Sequence, residues 1–167
     1  MILNTERLLV RQFQANDAQD YCLIESDPRV KQFMNGVVNR TAEEFRSRIA
    51  ELNRDFDVMA IVLKKSGKYI GRCGLKRVTS LQFDSTTREL SFVFGFEQWH
   101  QQLAPEIGKE LIKFAFQRLN APEVIAIVDP RHSACVRVLE KIGLAKYSEP
   151  WKDKSWQDGF PVFGRRA

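Results

Sequence analysis

Residues 88–120 (RELSFVFGFEQWHQQLAPEIGKELIKFAFQRLN) constrain the fold most, because the spacing of their apolar residues changes partway along the segment. Large apolar side chains first recur at every second position, which predicts a strand with one buried face formed by Leu90, Phe92, Phe94 and Phe96. From Ala104 onward polar and apolar residues separate with helical spacing, and the polar stripe is Glu106, Lys109, Glu110, Lys113 and Gln117. The segment therefore predicts a strand, a polar turn and an amphipathic helix, whose first N–H groups favour an anion.

The remainder of the chain predicts an α+β fold, in which about four helices cover a mixed, mostly antiparallel sheet of about six or seven strands. Strands are expected at residues 7–13, 58–64, 69–78, 87–96, 124–128, 144–147 and 160–163. Longer helices are expected at 17–26, at 42–55, from Ala104 onward and from about Ala134 to Ile142. The residues expected to cap helices are Asn16 with Gln19, Asp27 before Pro28, Thr41 with Glu44, and Gly143. The continuous apolar run at 124–128 follows a helix, so it predicts a strand that pairs in parallel.

Composition bounds the classes of protein that this chain can belong to. With 167 residues, 44% hydrophobic and 28% charged, it is expected to form a single domain, 1–167, with its own core. No apolar run approaches the ~18 residues of a membrane span and the start lacks a leader pattern, so a cytoplasmic protein without a membrane partner is expected. Three cysteines without CxxC spacing and two histidines do not predict a disulfide framework or a metal site.

Charge points to the kind of partner without identifying it. The net charge of +5 fits an anionic ligand or partner, although such an excess is also typical of an ordinary solvated surface. No basic run with interleaved aromatic residues is present, so nucleic acid is not favoured as a partner. The sequence leaves a monomer and a homodimer equally open.

Three motifs follow one another along the chain. They are residues 5–11 (TERLLVR), residues 89–92 (ELSF) followed by 99–106 (WHQQLAPE), and residues 129–144 (DPRHSACVRVLEKIGL). These motifs resemble T-E-R-L-x-L-R, E-[IL]-G-[YF]…W-G-K-G-Y-A-T-E and D-P-x-N-x-A-S-x-R-V-L-E-K-x-G-[FL] of the GNAT superfamily of N-acetyltransferases, in particular its ribosomal-protein-alanine acetyltransferase branch. The resemblance covers nearly the whole chain, and the third motif is its longest match.

The resemblance implies the acyl-CoA N-acyltransferase fold, in which a central strand splays from its neighbour and acetyl-CoA, as co-substrate, occupies the gap. It implies an amine or peptide as acceptor, with a ribosomal protein as one candidate. It places the cofactor against Phe94, Gly95 and Phe96, whose amides are candidate donors to the carbonyl oxyanion. It places the pyrophosphate on the turn formed by Trp99, His100, Gln101, Gln102, Leu103 and Ala104.

The sequence departs from the family pattern at several of these positions. His100 and Gln102 stand where family members carry glycine, and a side chain there restricts a backbone that needs positive φ. His132 replaces the asparagine that contacts the pantetheine arm, and its alternative role is an exposed turn residue or weak helix cap. Cys135 replaces a serine. As a catalytic candidate its thiol needs a pKa lowered by the helix start, whereas its alternative role is a small buried thiol. Leu139 occupies the position of the family's tyrosine acid.

Glu89 is the candidate general base, directly or through water, because the family often carries a carboxylate on this strand facing the acceptor. The alternative is a surface residue paired with Arg88 or Lys76. Ser91 shares the strand face of Glu89 and is a candidate substrate-binding residue.

Trp151 and Trp156 are candidates for an aromatic wall at the acceptor site, or for covers of the sheet edge. Beside an acetyltransferase, the sequence leaves open a catalytically degenerate acyl-CoA sensor, a protein-interaction domain and a basic module that binds RNA.

Overall fold

A computed structural model of the protein describes residues 2–152, 155 and 157–167. The strands are β1 (Leu3–Asn4), β2 (Leu8–Arg11), β3 (Met59–Leu63), β4 (Lys68–Arg77), β5 (Arg88–Phe94), β6 (Glu123–Ile127), β7 (Ala145–Lys146) and β8 (Val162–Arg166). The helices are α1 (Ala18–Ser26), α2 (Pro28–Lys31), α3 (Ala42–Leu52), α4 (Leu103–Arg118) and α5 (Ser133–Lys141). None of the helices within these ranges has the length and apolar character needed to cross a membrane.

Within the described ranges the strands form one eight-stranded sheet in the order β1-β2-β3-β4-β5-β6-β8-β7. Neighbouring strands are antiparallel except β5 and β6, which are parallel and joined by α4. The predicted antiparallel meander and the parallel crossover are therefore confirmed. The additional strand is β1, two residues that pair with β2 at Leu3↔Val10 and Asn4↔Leu9. A strand of this length is too short to produce a recognisable alternation.

Helices lie on both faces of the sheet, as the layered α+β prediction expects. On one face α4 and α5 pack on the larger core, in which Ile107, Leu111 and Leu139 are almost fully buried. On the other face α1 and α3 meet the sheet through a smaller cluster built around Phe45 and Tyr69. Two independent apolar layers therefore fix the sheet between the helices.

Local capping chemistry determines where most of the helices begin. At α3 the predicted capping box is present, with Glu44 N–H donating to Thr41 and Thr41 N–H donating to the Glu44 carboxylate. At α2 the Asp27 carboxylate accepts from the Arg29 N–H and Pro28 is the first helical residue, as predicted. The prediction for Asn16 is wrong, since a 3₁₀ turn at Ala15–Asp17 precedes α1. At the end of α5, Gly143 adopts φ +90°, in agreement with its predicted capping role.

A buried ion network ties α1 and α2 to the sheet. Glu25 on α1 is 2% exposed and accepts hydrogen bonds from Lys31 Nζ and Arg72 Nε, both at 2.7 Å. Burial alone would raise the pKa of Glu25, but Arg72 on β4 and Lys31 at the end of α2 outweigh it and lower this pKa. The carboxylate therefore stays charged in the folded protein and fixes the short helix α2 against the sheet.

We predict that Glu25→Gln lowers the free energy of unfolding by about 3 kcal/mol at neutral pH, because two buried cations lose their counter-charge. Since the folded pKa of Glu25 is lowered, its contribution is complete above the unfolded value near about 4.3 and disappears as the pH falls through the folded value. The loss caused by the substitution should therefore shrink in acid. Urea unfolding at several pH values measures both effects.

Glu43→Gln provides the control for this experiment. Glu43 also pairs with an arginine, but its side chain is 88% exposed, so its substitution should leave the unfolding free energy nearly unchanged. An equal loss in the two variants would contradict the structural role assigned to the buried network.

Candidate functional site

The parallel pairing of β5 with β6 is short. It consists of Arg88↔Val124 and Glu89↔Ile125, whereas the β5–β4 pairing continues to Gly71↔Phe94. Residues 90–94 therefore pair on one side only, and the two central strands separate beyond Glu89. This separation is the splay that the family resemblance implies, and it opens a gap in the sheet beyond Glu89.

The 99–104 turn connects the end of β5 to α4 and has an unusual backbone. His100 and Gln102 have φ of 62° and 61°, in the left-handed region that favours glycine. These are the two positions at which the motif carries glycine in the resembled family. The turn therefore adopts the left-handed conformation although its side chains disfavour it.

The 99–104 turn presents unused hydrogen-bond donors. The successive backbone N–H groups from His100 to Ala104 donate to no acceptor among the described residues. Left-handed residues alternating with others create a concavity of N–H groups, and here it lies at the N-terminus of the long helix α4. This arrangement suits a phosphate group.

Side-chain contacts hold the turn from several directions. Trp99 Nε1 donates to the Phe94 carbonyl at 3.1 Å, and Gln101 Nε2 donates to the Glu97 carbonyl at 2.8 Å. Lys141 Nζ at the end of α5 donates to Gln102 Oε1 at 2.5 Å. The turn is thus attached to β5, which borders the gap on one side, and to α5, which follows β6 on the other side.

A further set of contacts, the Glu106 clamp (Thr5, Arg7 and Glu106), escaped the sequence analysis. The Glu106 carboxylate accepts from Thr5 Oγ1 at 2.5 Å, from the Arg7 N–H at 2.9 Å and from Arg7 Nε at 2.7 Å. Arg7 Nη1 also donates to the Gln101 carbonyl at 2.8 Å. The clamp therefore fastens the start of α4, and the turn before it, to the N-terminal segment.

The prediction that Glu106 belongs to the solvated stripe of α4 is wrong, because its side chain is only 17% exposed. Burial alone would raise the pKa of Glu106, but the hydrogen bonds from Thr5 and Arg7 outweigh it and lower this pKa. Both partners stand in motifs noticed in the sequence. Their pairing was missed because Arg7 and Glu106 lie 99 positions apart, beyond the reach of local periodicity.

The end of β5 differs from the predicted alternation. Phe96 is not a buried strand residue but opens a 3₁₀ turn at Phe96–Gln98, where it is 38% exposed and lies 3.9 Å beneath the Arg29 guanidinium. The Gly95 N–H is occupied, since it donates to the Ile70 carbonyl at 3.0 Å. The Phe96 N–H donates to no acceptor in the part of the chain that the structure describes. The Phe96 N–H is therefore open to a ligand, whereas the Gly95 N–H is not.

His132 stands on the opposite side of the gap, immediately before α5. Its Nδ1 accepts from the Cys135 N–H at 3.4 Å, so it caps the helix, and its ring stacks on Phe33 at 4.5 Å. Burial lowers the pKa of His132 despite the opposing effect of Asp129. The imidazole is therefore neutral at pH 7, and because Nδ1 accepts, its proton lies on Nε2. The cap prediction is confirmed, but the side chain is half-buried rather than exposed.

Cys135 does not have the lowered pKa that a catalytic thiolate requires. Burial raises the pKa of this thiol to about 11, and the side chain packs against the larger core. The expectation of a reactive thiol at the helix start is therefore wrong, and the alternative of a small buried thiol describes it. Leu139, at the position of the family tyrosine, is 1% exposed within the same core.

Glu89 lies on the other face of the sheet, the face of α1 and α3. Its register partners are Lys76 on β4 and Ile125 on β6, and Ser91 follows on the same face toward the gap. Trp151 covers Ile125, stacks on Phe83 at 6.0 Å and is 6% exposed. Trp151 thus matches the alternative of a cover over the sheet, close to the row that contains Glu89. The other predicted tryptophan, Trp156, lies outside the described residues.

The described residues contain no group of three or more His, Cys, Asp or Glu side chains placed to hold a metal ion.

Comparisons with known proteins agree with this geometry. A family model described as acetyltransferase (GNAT) domain matches residues 7–145. The chain is 27% identical over 150 residues to the uncharacterized N-acetyltransferase p20 of Bacillus licheniformis, covering 86% of this chain and 82% of that protein.

Among the solved structures that share the fold are two acetyltransferases. One is a GNAT-family acetyltransferase from Bacillus anthracis, with a TM-score of 0.81, 22% identity and coverage of 98% of this chain and 96% of that one. The other is the ribosomal-protein-S5-alanine acetyltransferase from Vibrio fischeri, with a TM-score of 0.74, 16% identity and coverage of 98% and 95%. The resemblance predicted from the three motifs is confirmed.

We predict that Gln102→Gly leaves the free energy of unfolding unchanged or raises it by up to about 1 kcal/mol. Relief of left-handed strain, about 1 kcal/mol or more, offsets the greater chain entropy of glycine, about 0.5–1 kcal/mol. The adjacent Gln101 does not have positive φ, so Gln101→Gly should lower the same free energy by about 1 kcal/mol. Urea unfolding of the two variants gives the comparison, and an equal fall in both would contradict the left-handed conformation of Gln102.

We also predict slow alkylation of Cys135. A thiol with a pKa of about 11 has a thiolate fraction at neutral pH that is roughly 100-fold or more below that of free cysteine. Iodoacetamide should therefore label Cys135 at least that much more slowly than free cysteine, and the rate should rise with pH up to about 11. Peptide mass spectrometry measures the rate, and labelling as fast as free cysteine would refute the assignment.

Proposed function

The chain belongs to the GNAT acetyltransferase family, and from this premise we propose that it transfers the acetyl group of acetyl-CoA to an amine. The observation that carries the proposal is the 99–104 turn, whose free N–H groups lie at the start of α4 beside the gap between β5 and β6. An anion site next to an unpaired strand edge matches a cofactor that has a pyrophosphate at one end and a chain of amides beyond it.

In this proposal the pyrophosphate occupies the 99–104 turn and the pantetheine arm enters the gap along the unpaired edge of residues 90–94. The Phe96 N–H, which is free, and the His132 Nε2–H are donors for the amide carbonyls of that arm. His132 would thereby perform the role of the family asparagine. The side chains at 100 and 102 do not block the turn from taking the required backbone shape, because that shape is present without glycine.

The distance between Glu89 and Phe94 along β5 means that the two ends of this strand have different roles in the proposed reaction. Glu89 and Phe94 are five residues apart, or about 16 Å along a strand, so they cannot both contact one carbonyl group directly. We therefore place the thioester between them, where backbone N–H groups that have no β6 partner can stabilise its oxyanion. Glu89 then accepts the amine proton through water, and the Phe96 N–H contacts the arm nearer the turn.

The transfer itself is a nucleophilic substitution at the thioester carbon. The neutral amine forms a C–N bond, the C–S bond breaks, and the amine proton passes to Glu89 and then to solvent. The CoA thiolate leaves along the gap and takes a proton from water, since Leu139 replaces the tyrosine acid. A buried thiol with a raised pKa takes no part as a nucleophile, so Cys135 is left out of the mechanism.

The acceptor that fits best is a protein N-terminal α-amino group. Its ordinary pKa near about 8 makes it far easier to neutralise than lysine, near about 10.4, for a base that acts through water. The neighbour from Vibrio fischeri, whose name assigns it to an alanine of a ribosomal protein, shares this fold. A ribosomal protein is accordingly the first acceptor to test.

We predict that Glu89→Gln lowers kcat by about 100-fold or more, the range of general-base catalysis, and leaves the Kd for acetyl-CoA within about twofold. Calorimetry gives the Kd, and release of free CoA thiol in the presence of an alanine-starting peptide gives kcat. Glu110→Gln, a partly exposed carboxylate on α4 next to Lys113, is the matched control and should retain full turnover.

The outcomes separate the proposed function from its alternatives. Unchanged kcat in Glu89→Gln at saturating substrates would remove Glu89 from the mechanism. Binding of acetyl-CoA without thiol release across a panel of amines and peptides would instead support an acyl-CoA sensor. Absence of binding at millimolar acetyl-CoA would overturn the proposal as a whole.

A further inference from the structure

A cavity of about 810 Å³ lies away from the 99–104 turn, and its lining residues do not include Glu89. It is formed where β5 begins at Arg88 and α4 ends at Arg118, whereas the 99–104 turn lies where β5 ends and α4 begins. The span of β5 alone separates the two regions by about 20 Å. A ligand of the cavity is therefore not the phosphate group proposed for the 99–104 turn.

The charges that line this cavity, called here the arginine cavity, are strongly unbalanced. Its charged lining residues, apart from Arg11, are Arg54, Arg77, Arg88, Arg118, Asp55 and Asp57. None of these arginines forms an ion pair within 4.0 Å in the described part of the chain. Arg11 also lines the cavity, but both of its terminal nitrogens bond the Asp17 carboxylate at 2.7 Å. Positive charge in the cavity thus exceeds negative charge.

Two of these arginines face each other directly. Arg77 and Arg88 are register partners in the β4–β5 ladder, so their side chains leave the same face of the sheet side by side. Like charges in such a pair repel each other. In addition, Arg88 Nε is buried and has no hydrogen-bond partner, an arrangement that is uncommon for a buried donor. An anionic oxygen placed between the two guanidinium groups would both offset their repulsion and accept a hydrogen bond from Arg88 Nε.

The carboxylates of Asp55 and Asp57 line the same cavity but do not neutralise Arg77 and Arg88 by direct ion pairs. Asp55 is engaged in its own loop, where it accepts from the Asp57 N–H at 2.9 Å. Neither Asp55 nor Asp57 approaches a lining arginine within ion-pair distance among the described residues. They can instead accept hydrogen bonds from hydroxyl groups of a ligand. The walls also include apolar surface from Phe56 and Leu119.

We propose that the arginine cavity is a second binding site, for a small molecule that carries two or more phosphate groups and hydroxyl donors, as a nucleoside triphosphate does. The volume lies within the range of about 300–1,000 Å³ that is typical of ligand pockets. Guanidinium groups bind phosphate oxygens in paired, charge-assisted hydrogen bonds. The inference does not depend on the proposed acetyl transfer, because it uses none of the residues of the gap.

The test is calorimetric titration of the 167-residue chain with ATP and, separately, with inorganic triphosphate, each without and with excess acetyl-CoA. We expect binding that persists in the presence of acetyl-CoA, and tighter binding of ATP if the hydroxyl acceptors contribute. Arg88→Met should weaken this binding at least about tenfold. It should also raise the Tm of the ligand-free protein, since the repulsion with Arg77 is removed.

Arg46→Met is the control, because it removes the same charge from a surface outside the cavity. It should leave both affinities unchanged. Arg118→Met, at the exposed end of α4, repeats the test without touching the sheet and should also weaken binding. An equal effect of Arg46→Met, loss of binding on addition of acetyl-CoA, or binding of an RNA oligonucleotide or a glutamate-rich peptide in place of both phosphates would overturn the proposal.

Discussion

The β5–β6 ladder, which ends after Glu89↔Ile125, is the constraint on which the rest of this structure depends. A strand edge that loses its neighbour inside a sheet exposes N–H and C=O groups that demand partners. Here β5 and β6 diverge toward their C-terminal ends. The 99–104 turn follows β5 and His132 follows β6, so hydrogen-bond donors lie on both sides of the opening. The interrupted pairing thus leaves a slot in the sheet, and the proposed pantetheine arm would enter it.

The shape of the 99–104 turn is imposed by its surroundings rather than by its own residues. Left-handed conformations at His100 and Gln102 cost about 1 kcal/mol or more each, and such strain persists where neighbouring contacts determine the backbone. The Glu106 clamp fixes one end of the turn, and Lys141 fixes the side chain of Gln102. In this protein, contacts with surrounding residues hold the left-handed backbone that glycine would adopt more easily in the family motif.

Sequence reasoning succeeded where the determinant was local. The caps at Asp27 and Thr41, the strand β5 and the helix α4 depend on residues a few positions apart, although the local cap predicted at Asn16 was wrong. It failed at Phe96, because alternation does not reveal where a strand stops and a 3₁₀ turn begins.

The candidate site was less accessible to sequence reasoning, because its decisive contacts are long-range. The sequence singled out the 99–104 turn, Glu89 and His132 as candidates, and their roles stay predictions. The clamp from Arg7 to Glu106 and the Phe33–His132 stack were not singled out, since no periodicity connects residues so far apart. The raised pKa of Cys135 likewise depends on tertiary burial, which a helix-start argument does not include.

One short segment touches both sides of the slot. Arg29 on α2 rests on Phe96 beyond the end of β5, and Phe33, just after the same helix, rests on His132 beyond the end of β6. The buried Glu25–Lys31 ion pair anchors this segment to α1 between the two contacts. A change in the distance between the ends of β5 and β6 would therefore either break one of these two ring contacts or move the whole segment. The position of α2 is in this way coupled to the width of the slot.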